Sequence, residues 1–480
     1  MSDTNVIELT GIEIVGEEQR TAKPHQLFLP WFASNISVFG MSYGAWIFGF
    51  GISFWQATLV AVVGVTLSFI ICGIIALGGK RGSVPTMVMS RSAFGIQGAK
   101  IPGIVSWLTS IGWETVLAIT AVLATATIFE RLGWVGQDHT TVNIVASVVV
   151  AALIVLGAVL GYHIIMKLQS ILTWLTGITT IIYVFLVVPH IDWAAVMSIP
   201  SGSVAGMIGA LTMVMTGTGL GWVNIAADWS RYQSRDAKDS GIIFWNTLGG
   251  SLGPAVLITF GLMLAGSSQE LSDNVGLDPI GALSTLLPTW FLIPFLLTAI
   301  LSLLSGAING IYSSGLTLLT LGINIPRPMA SLIDGMILTA GTVYVVFYSP
   351  TFIGPFQSFL VTLGVPLAAW AGIMMADIIL RKKPYDERAL FEASGRYGAY
   401  NWVSLGLMVV ACIIGWGLVV NGFEDAAFNN WQGYLLGLIG GKDGVWAGAN
   451  IGVIFALVLG FVGYWLTSAG RIRAQESSQR

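Results

Sequence analysis

The sequence predicts an all-α polytopic membrane protein of twelve transmembrane helices, a five-plus-five inverted repeat followed by two C-terminal helices. Three observations predict it. Twelve apolar stretches, each about long enough to cross a bilayer, run from Leu27 to Thr467. The sixth is interrupted at its centre by Thr216-Gly-Thr-Gly-Leu-Gly-Trp222. The first carries a similar set of small and polar residues five spans earlier, the separation an inverted repeat of five helices requires.

Composition agrees. Of 480 residues, 55% are hydrophobic and 9% charged, where a soluble domain carries about 25% charged. About 20 apolar residues suffice for one crossing, so most stretches are long enough and several must tilt.

Span 1 (27–51) holds Ser34, Asn35, Ser37, Gly40, Ser42 and Gly44 where Leu, Val or Ile would insert most cheaply. Span 2 (55–79) is continuous. After it, Val84–Phe94 is too apolar for a plain loop and too short to cross, so a re-entrant or interfacial segment is expected. Span 3 (102–128) contains Trp113 and Glu114, and spans 4 (142–162) and 5 (168–189) follow. In span 6 (204–227), three glycines in five residues weaken the helix by roughly 1 kcal/mol each, which predicts a real break. Opened backbone at mid-depth survives only beside a cavity. Scattered glycines such as Gly249 and Gly250 in span 7 (241–266) read instead as close helix packing. Spans 8 (289–318), 9 (329–349), 10 (352–380), 11 (402–421) and 12 (447–467) complete the set.

Charge supplies the orientation. With the N-terminus inside, every one of the 21 Lys and Arg except Arg131 and Lys442 falls in a cytoplasmic segment. Both termini are therefore expected in the cytoplasm, and the protein in the plasma (inner) membrane. The chain divides into an N-terminal tail (1–26, with Glu8, Glu13, Glu17 and Glu18), a ten-helix core (27–380), a cytoplasmic loop (381–401), spans 11 and 12 (402–467) and a C-terminal tail (468–480). No short apolar segment with a cleavage site precedes span 1, so a signal peptide is not expected.

Several chemistries find no support. Cys72 and Cys412 sit inside spans and read as small packing residues. His25, His139, His163 and His190 lie near span ends and never at metal-ligand spacing. Gly217-x-Gly219-x-Gly221 lacks the strand and acidic residue of a dinucleotide site. Nothing suggests an enzyme, an organic cofactor, a nucleic-acid surface or an obligate protein partner beyond the bilayer. A channel would need a continuous polar pore, which the apolar spans outside 1, 3, 6 and 8 do not offer.

The candidate residues are few. Glu114 lies about a dozen residues into span 3, where a carboxylate costs roughly 2.5 kcal/mol or more and marks function by default. The bland alternative is a protonated acid bonded to a neighbouring Ser or Thr. Asp228, in Ala226-Ala-Asp-Trp-Ser-Arg-Tyr232, could carry a proton, cap its helix or pair with Arg231. Asp377 should pair with Arg381 and Lys382. Most of the 18 Trp read as interfacial anchors, but Trp113 lies inside span 3 and Trp222 beside the span 6 break. Two such rings would hold a planar heterocycle by its faces. Asn309 in span 8, near Ser305, Ser313 and Ser314, could read its edge, since an amide both donates and accepts.

Here the residues resemble a known family. Pro85-Thr-Met-Val-Met-Ser-Arg91-Ser-Ala-Phe94-Gly95-Ile-Gln-Gly98 resembles the Ser-Arg-x-x-Phe-Gly-x-x-Gly signature of purine/cytosine permeases, the first nucleobase–cation symporter family. Trp31-Phe-Ala-Ser-Asn35 is similar to the family's entry to its broken first helix, and Gly221-Trp222-Val-Asn-Ile-Ala226-Ala227-Asp228-Trp229-Ser230 to a run of its fungal-type branch. Asn309-Gly-Ile-Tyr312-Ser313 resembles the Asn-x-x-Tyr-Ser of bacterial cytosine permeases. The chain departs from the pattern at Leu117, where several relatives carry Gln or Asn, and at Gly306 and Ala307, where fungal-type members carry paired asparagines.

The resemblance implies a leucine-transporter-like fold with the ligand between spans 1, 3, 6 and 8. The expected function is cation-coupled import of a nucleobase or related planar heterocycle of the cytosine/purine class. Trp113 and Trp222 would sandwich it. Asn309, Glu114, Ser37 and the backbone at Gly40, Gly219 and Gly221 would meet its polar edge. A proton, carried by Glu114 or Asp228, is the expected coupling ion. Sodium, held by span 1 carbonyls with Ser302 and Ser305, is the alternative. Rival readings are a sodium-coupled carrier of a hydantoin, allantoin or a vitamin, and an amino-acid carrier of the same fold.

Overall fold

In a computed structural model the described residues are 11–477, apart from 137, 160–161, 324, 350 and 422–429; side chains are also left aside at 158–159, 162–169 and 327. Glu8, the His163 side chain and most of the polar start of the loop at Gly422 lie outside them. Among the described residues the secondary structure is helical except for one isolated bridge, Ala22 to Gln233.

Among the described residues, ten helices are long and apolar enough to cross a bilayer. The other two crossings escape that length criterion for different reasons. Span 1 is two short helices, Phe28–Asn35 and Phe39–Phe48, and span 11 is only Trp402–Gly417. The broken first and sixth crossings fit the expected five-plus-five repeat with two appended helices. Span 10 (Ile353–Leu380) and span 6 (Val204–Ser230) form the interior, with 83% and 72% of their apolar windows buried. Span 9 and spans 4, 5 and 12 fall below 40% and face outward, where lipid would cover them.

Local chemistry sets the ends. Ser53 and Gln56 form a reciprocal capping box that starts span 2 (Phe54–Gly82). Ser83, in the left-handed region at φ 57°, stops it. Asp377 forms a buried ion pair with Arg381 at 2.9 Å at the end of span 10, while Lys382, also expected to pair with it, donates to the Ile379 carbonyl instead. The other contacts to the Asp377 carboxylate, from Ser92, Tyr385 and Tyr464, leave that charge fully compensated.

Two segments are more enclosed than their sequence suggests. Val84–Phe94, expected as re-entrant or interfacial, folds as two short helices, Thr86–Met89 and Arg91–Phe94, with all eight residues buried in protein. Hydrogen bonds explain this. Trp370 Nε1 donates to Ser90 Oγ, Ser92 Oγ donates to Asp377, and Asp228 accepts twice from Thr86. Residues 11–26 are likewise not a free tail. They strap across the end of spans 2 and 6: Val15 N donates to Ser83 O, and the buried Arg20 donates to the Lys80 and Gln233 carbonyls. A surface ion network of Arg235 with Glu17 and Glu387 closes the strap.

Candidate functional site

Both predicted breaks are present, and they adjoin. Span 6 is helical over Val204–Gly217, leaves helical geometry at Thr218 (φ −124°, ψ −119°) and resumes at Gly219–Trp222. Opening a helix frees backbone groups that must find partners. Tyr43 Oη, on the second half of span 1, donates to the Gly217 carbonyl at 2.8 Å. Gly219 N donates to Ser68 Oγ of span 2 at 3.1 Å. Span 1 opens at Ile36–Val38, where Ser302 Oγ of span 8 donates to the Ile36 carbonyl at 3.4 Å.

The aromatic residues gather beside these breaks. Trp222 meets Trp31 edge to face, with centroids 6.1 Å apart. Trp113 meets Phe356 and Phe359 of span 10 in the same way, at 5.7 and 5.6 Å. Trp113 also lies over the span 6 backbone: a Cβ on Gly221 would stand 2.7 Å from its Nε1. Glycine at 221 is therefore what lets span 3 deliver this indole to the break. Trp113 and Trp222 are each only half-buried, although both lie inside spans. They make no ring contact with each other, so their edges are packed while part of each ring stays uncovered.

Polar groups adjoin the same region. Asn309 Nδ2 donates to Ser34 Oγ of span 1 at 3.2 Å, while its buried Oδ1 has no partner. One residue on, a Cβ at Gly310 would lie 2.7 Å from Glu114 Cγ and 3.0 Å from its Oε1. Glu114 is fully buried, and neither carboxyl oxygen is hydrogen-bonded.

The other predicted residues have different surroundings. Gly40 faces Leu257 of span 7, and Gly219 lies against the Ser68–Phe69 backbone of span 2, where a Cβ would come within 2.4 Å. Ser37 Oγ accepts from Phe39 N at the start of the second half of span 1. Asp228 Oδ1 accepts from both Thr86 N and Thr86 Oγ1 at 2.8 Å, which holds the buried hairpin. Ser305 is buried one turn after Ser302 on the same helix. Sequence reasoning passed over Tyr43, Phe356 and Phe359, which carry no signal beyond being aromatic in a span; it had Trp31 only as part of the span 1 motif, not as a partner of Trp222. It also passed over Asp334 in span 9 (Arg327–Tyr348), which carries the same signal as Glu114.

Comparison with known proteins bears on the whole chain. A family model described as permease for cytosine/purines, uracil, thiamine and allantoin matches residues 14–437. YxlA of Bacillus subtilis (strain 168), whose name proposes a purine-cytosine permease, is 23% identical over 98% of both chains. Among solved structures, the nucleobase-cation-symport-1 family transporter Mhp1, closed with bromovinylhydantoin bound, superposes with a TM-score of 0.69 at 16% identity, covering 99% of this chain and 97% of Mhp1. A Na+-coupled sialic acid symporter, outward-open, gives 0.60 at 12% identity over 94% of this chain and 91% of its own. These two likenesses are of fold: a leucine-transporter-like helix bundle.

Proposed function

The chain belongs to the family of permeases for cytosine and purines, uracil, thiamine and allantoin, and on that premise we propose that it imports a planar nitrogen heterocycle across the plasma membrane, with both termini in the cytoplasm. It is a multi-pass membrane transporter and not an enzyme. The ring lies between the exposed parts of Trp113 and Trp222. Its polar edge meets Asn309 and backbone at the two breaks, and the bundle then rocks against its scaffold to open inward.

One observation carries the site assignment. Asn309 spends its amide nitrogen on Ser34 and leaves a buried oxygen without a partner. An unsatisfied buried acceptor costs about 1–3 kcal/mol, a cost that a ring N–H or exocyclic amine would remove. Cytosine, the purines and hydantoins all carry such donors, whereas an amino acid would set its carboxylate against helix N-termini and gain little from two indoles.

The coupling ion in this reading is a proton on Glu114. Sodium is a second reading, favoured by Ser302 Oγ beside the Ile36 carbonyl at the span 1 break. Binding by purified protein to a panel of cytosine, uracil, adenine, hydantoin, allantoin and free amino acids tests the function. A saturable signal for one heterocycle, weakened on the order of 5- to 150-fold in Trp113→Ala or Trp222→Ala, is expected from about 1–3 kcal/mol of stacking. Binding of amino acids alone would discard the heterocycle. Uptake driven by an imposed pH gradient without sodium, against uptake driven by sodium at equal pH, separates the two ions.

A further inference from the structure

Glu114 does not stand alone. Asp334 of span 9 is fully buried, and its two oxygens accept from Trp107 Nε1 at 2.8 Å and from Ser314 Oγ at 2.6 Å. Gly310, against which the Glu114 side chain packs, lies one turn before Ser314 on span 8 (Thr289–Thr320). Carboxyls from spans 3 and 9 therefore adjoin the same turn of span 8, at Gly310 and at Ser314, with Ser331 Oγ buried beside Gly315 and unpartnered.

Their surroundings contain no evident counter-charge among the described residues. Span 4 (Thr140–Val159) and span 8 (Thr289–Thr320) contain no charged residue, and the one phenol of span 8, Tyr312, stacks on Trp229. Span 10 offers Asp377, already committed to Arg381. Span 3 has Lys100, against Gly322 at one end, and Glu130 and Arg131 at the other. Asp278, at that outer end, bonds Thr127. On span 9 itself, Arg327 is the first residue, about 10 Å along the axis from Asp334, and Tyr344 and Tyr348 are exposed near the far end.

We propose that Glu114, Ser314 and Asp334 form a single proton-binding site, in which two carboxyls share one proton across a serine relay. The inference rests on the permease reading above and deepens its proton arm. The donor pattern assigns the resting places. Asp334 has a donor at each oxygen and holds the anion; Glu114 has none and holds the proton, because an undonated carboxylate at this depth costs several kcal/mol. Two ionised carboxyls this close would repel, so one proton per pair is the stable count. Transfer is balanced: once its carboxyl turns onto the serine, Glu114 gives its proton to Ser314 Oγ as Ser314 gives its own to Asp334 Oδ2, leaving the serine unchanged. Because Trp113 precedes Glu114 and Asn309 precedes Gly310, movement of the ring site changes the Glu114 environment directly.

The test uses no substrate. Infrared difference spectra of the full-length protein in lipid, recorded across a pH titration, follow the C=O stretch of protonated carboxyls. A band that persists at neutral pH is expected in the wild type and should be absent in Glu114→Gln. Asp334→Asn removes a like charge and should move that band's titration down by on the order of one pH unit. Ser314→Ala should keep the band while slowing proton entry into dye-loaded vesicles under a pH gradient with cytosine as the probe. An unchanged band in Glu114→Gln, or an unmoved titration in Asp334→Asn, overturns the proposal. The titration decides the proton site even if the panel finds no heterocycle. A panel that finds cytosine bound while the titration fails removes the proton site alone.

Discussion

Leu117 on span 3 and Gly306 on span 8 are in contact: a Cβ on Gly306 would stand 3.0 Å from Leu117 Cδ1. These are two of the three positions, with Ala307, where the sequence departs from the expected family pattern, and they fall on one seam. A lone amide on either side would lie against hydrocarbon there. The expected consequence is a binding site that reads fewer polar groups on this flank.

The seam gives a double-mutant cycle. Gly306→Ala places a methyl against the flexible end of Leu117 and should destabilise on the order of 1 kcal/mol, since overpacking is costly even where a neighbour can shift. In a Leu117→Ala background the same methyl fills space. The two substitutions should therefore couple by about 0.5–3 kcal/mol in thermal unfolding. Strict additivity would show that the contact does not matter. Leu117→Ala alone should also admit bulkier ring substituents in competition binding.

Tyr43 gives a second test. Its hydroxyl donates to Gly217 O, the carbonyl freed where span 6 opens. Tyr43→Phe keeps the ring packed between Phe39, Trp46 and Phe356 but removes that donor, leaving a buried carbonyl unsatisfied at about 1–3 kcal/mol. Purified Tyr43→Phe should melt earlier than the wild type and bind the heterocycle more weakly, because the break itself is loosened. A melting temperature equal to wild type would mean that water satisfies Gly217.

The breaks and the spans were legible because they violate a strong rule: polar and glycine residues in hydrocarbon need a reason. Glu114 stood out for the same cause. Gly219 and Gly40 are harder to read because glycine serves two ends, opening backbone to a ligand or letting two helices touch, and neighbouring spans decide which. Gly219 abuts span 2, while Gly221, two residues away, accommodates Trp113. The partners of Asp228 and Asp334 were not legible, since each lies on an element far away in sequence: Thr86 is 142 residues from Asp228, and Trp107 is 227 from Asp334.

The N-terminal strap should respond to acid and salt. The Arg235 guanidinium hydrogen-bonds Glu17 and holds its carboxyl below the ordinary value of 4.5. A depressed acid contributes fully above its unfolded value and loses that contribution as pH falls through its folded value. The tether should therefore be intact at neutral pH and weaken well below pH 4.5, and screening should weaken it at high salt. Limited proteolysis within residues 11–26 should accelerate under either condition, and Glu17→Gln should be cut fast at neutral pH. Equal cutting of Glu17→Gln and wild type would place the hold elsewhere, on the buried Arg20.

Asp228 separates anchoring from proton carriage. Its Oδ1 accepts two hydrogen bonds from Thr86, and both end on the hairpin that closes over spans 2 and 3. Asp228→Asn retains an acceptor oxygen in the same place, so the hairpin should stay docked and melting should shift by no more than about 1 kcal/mol. Asp228→Ala leaves the Thr86 N–H and hydroxyl without that acceptor and should cost several times as much. If Asp228 is only an anchor, Asp228→Asn should keep pH-driven uptake while Glu114→Gln loses it. Loss of pH-driven uptake in Asp228→Asn, with melting and heterocycle binding intact, would instead place a coupling proton on span 6.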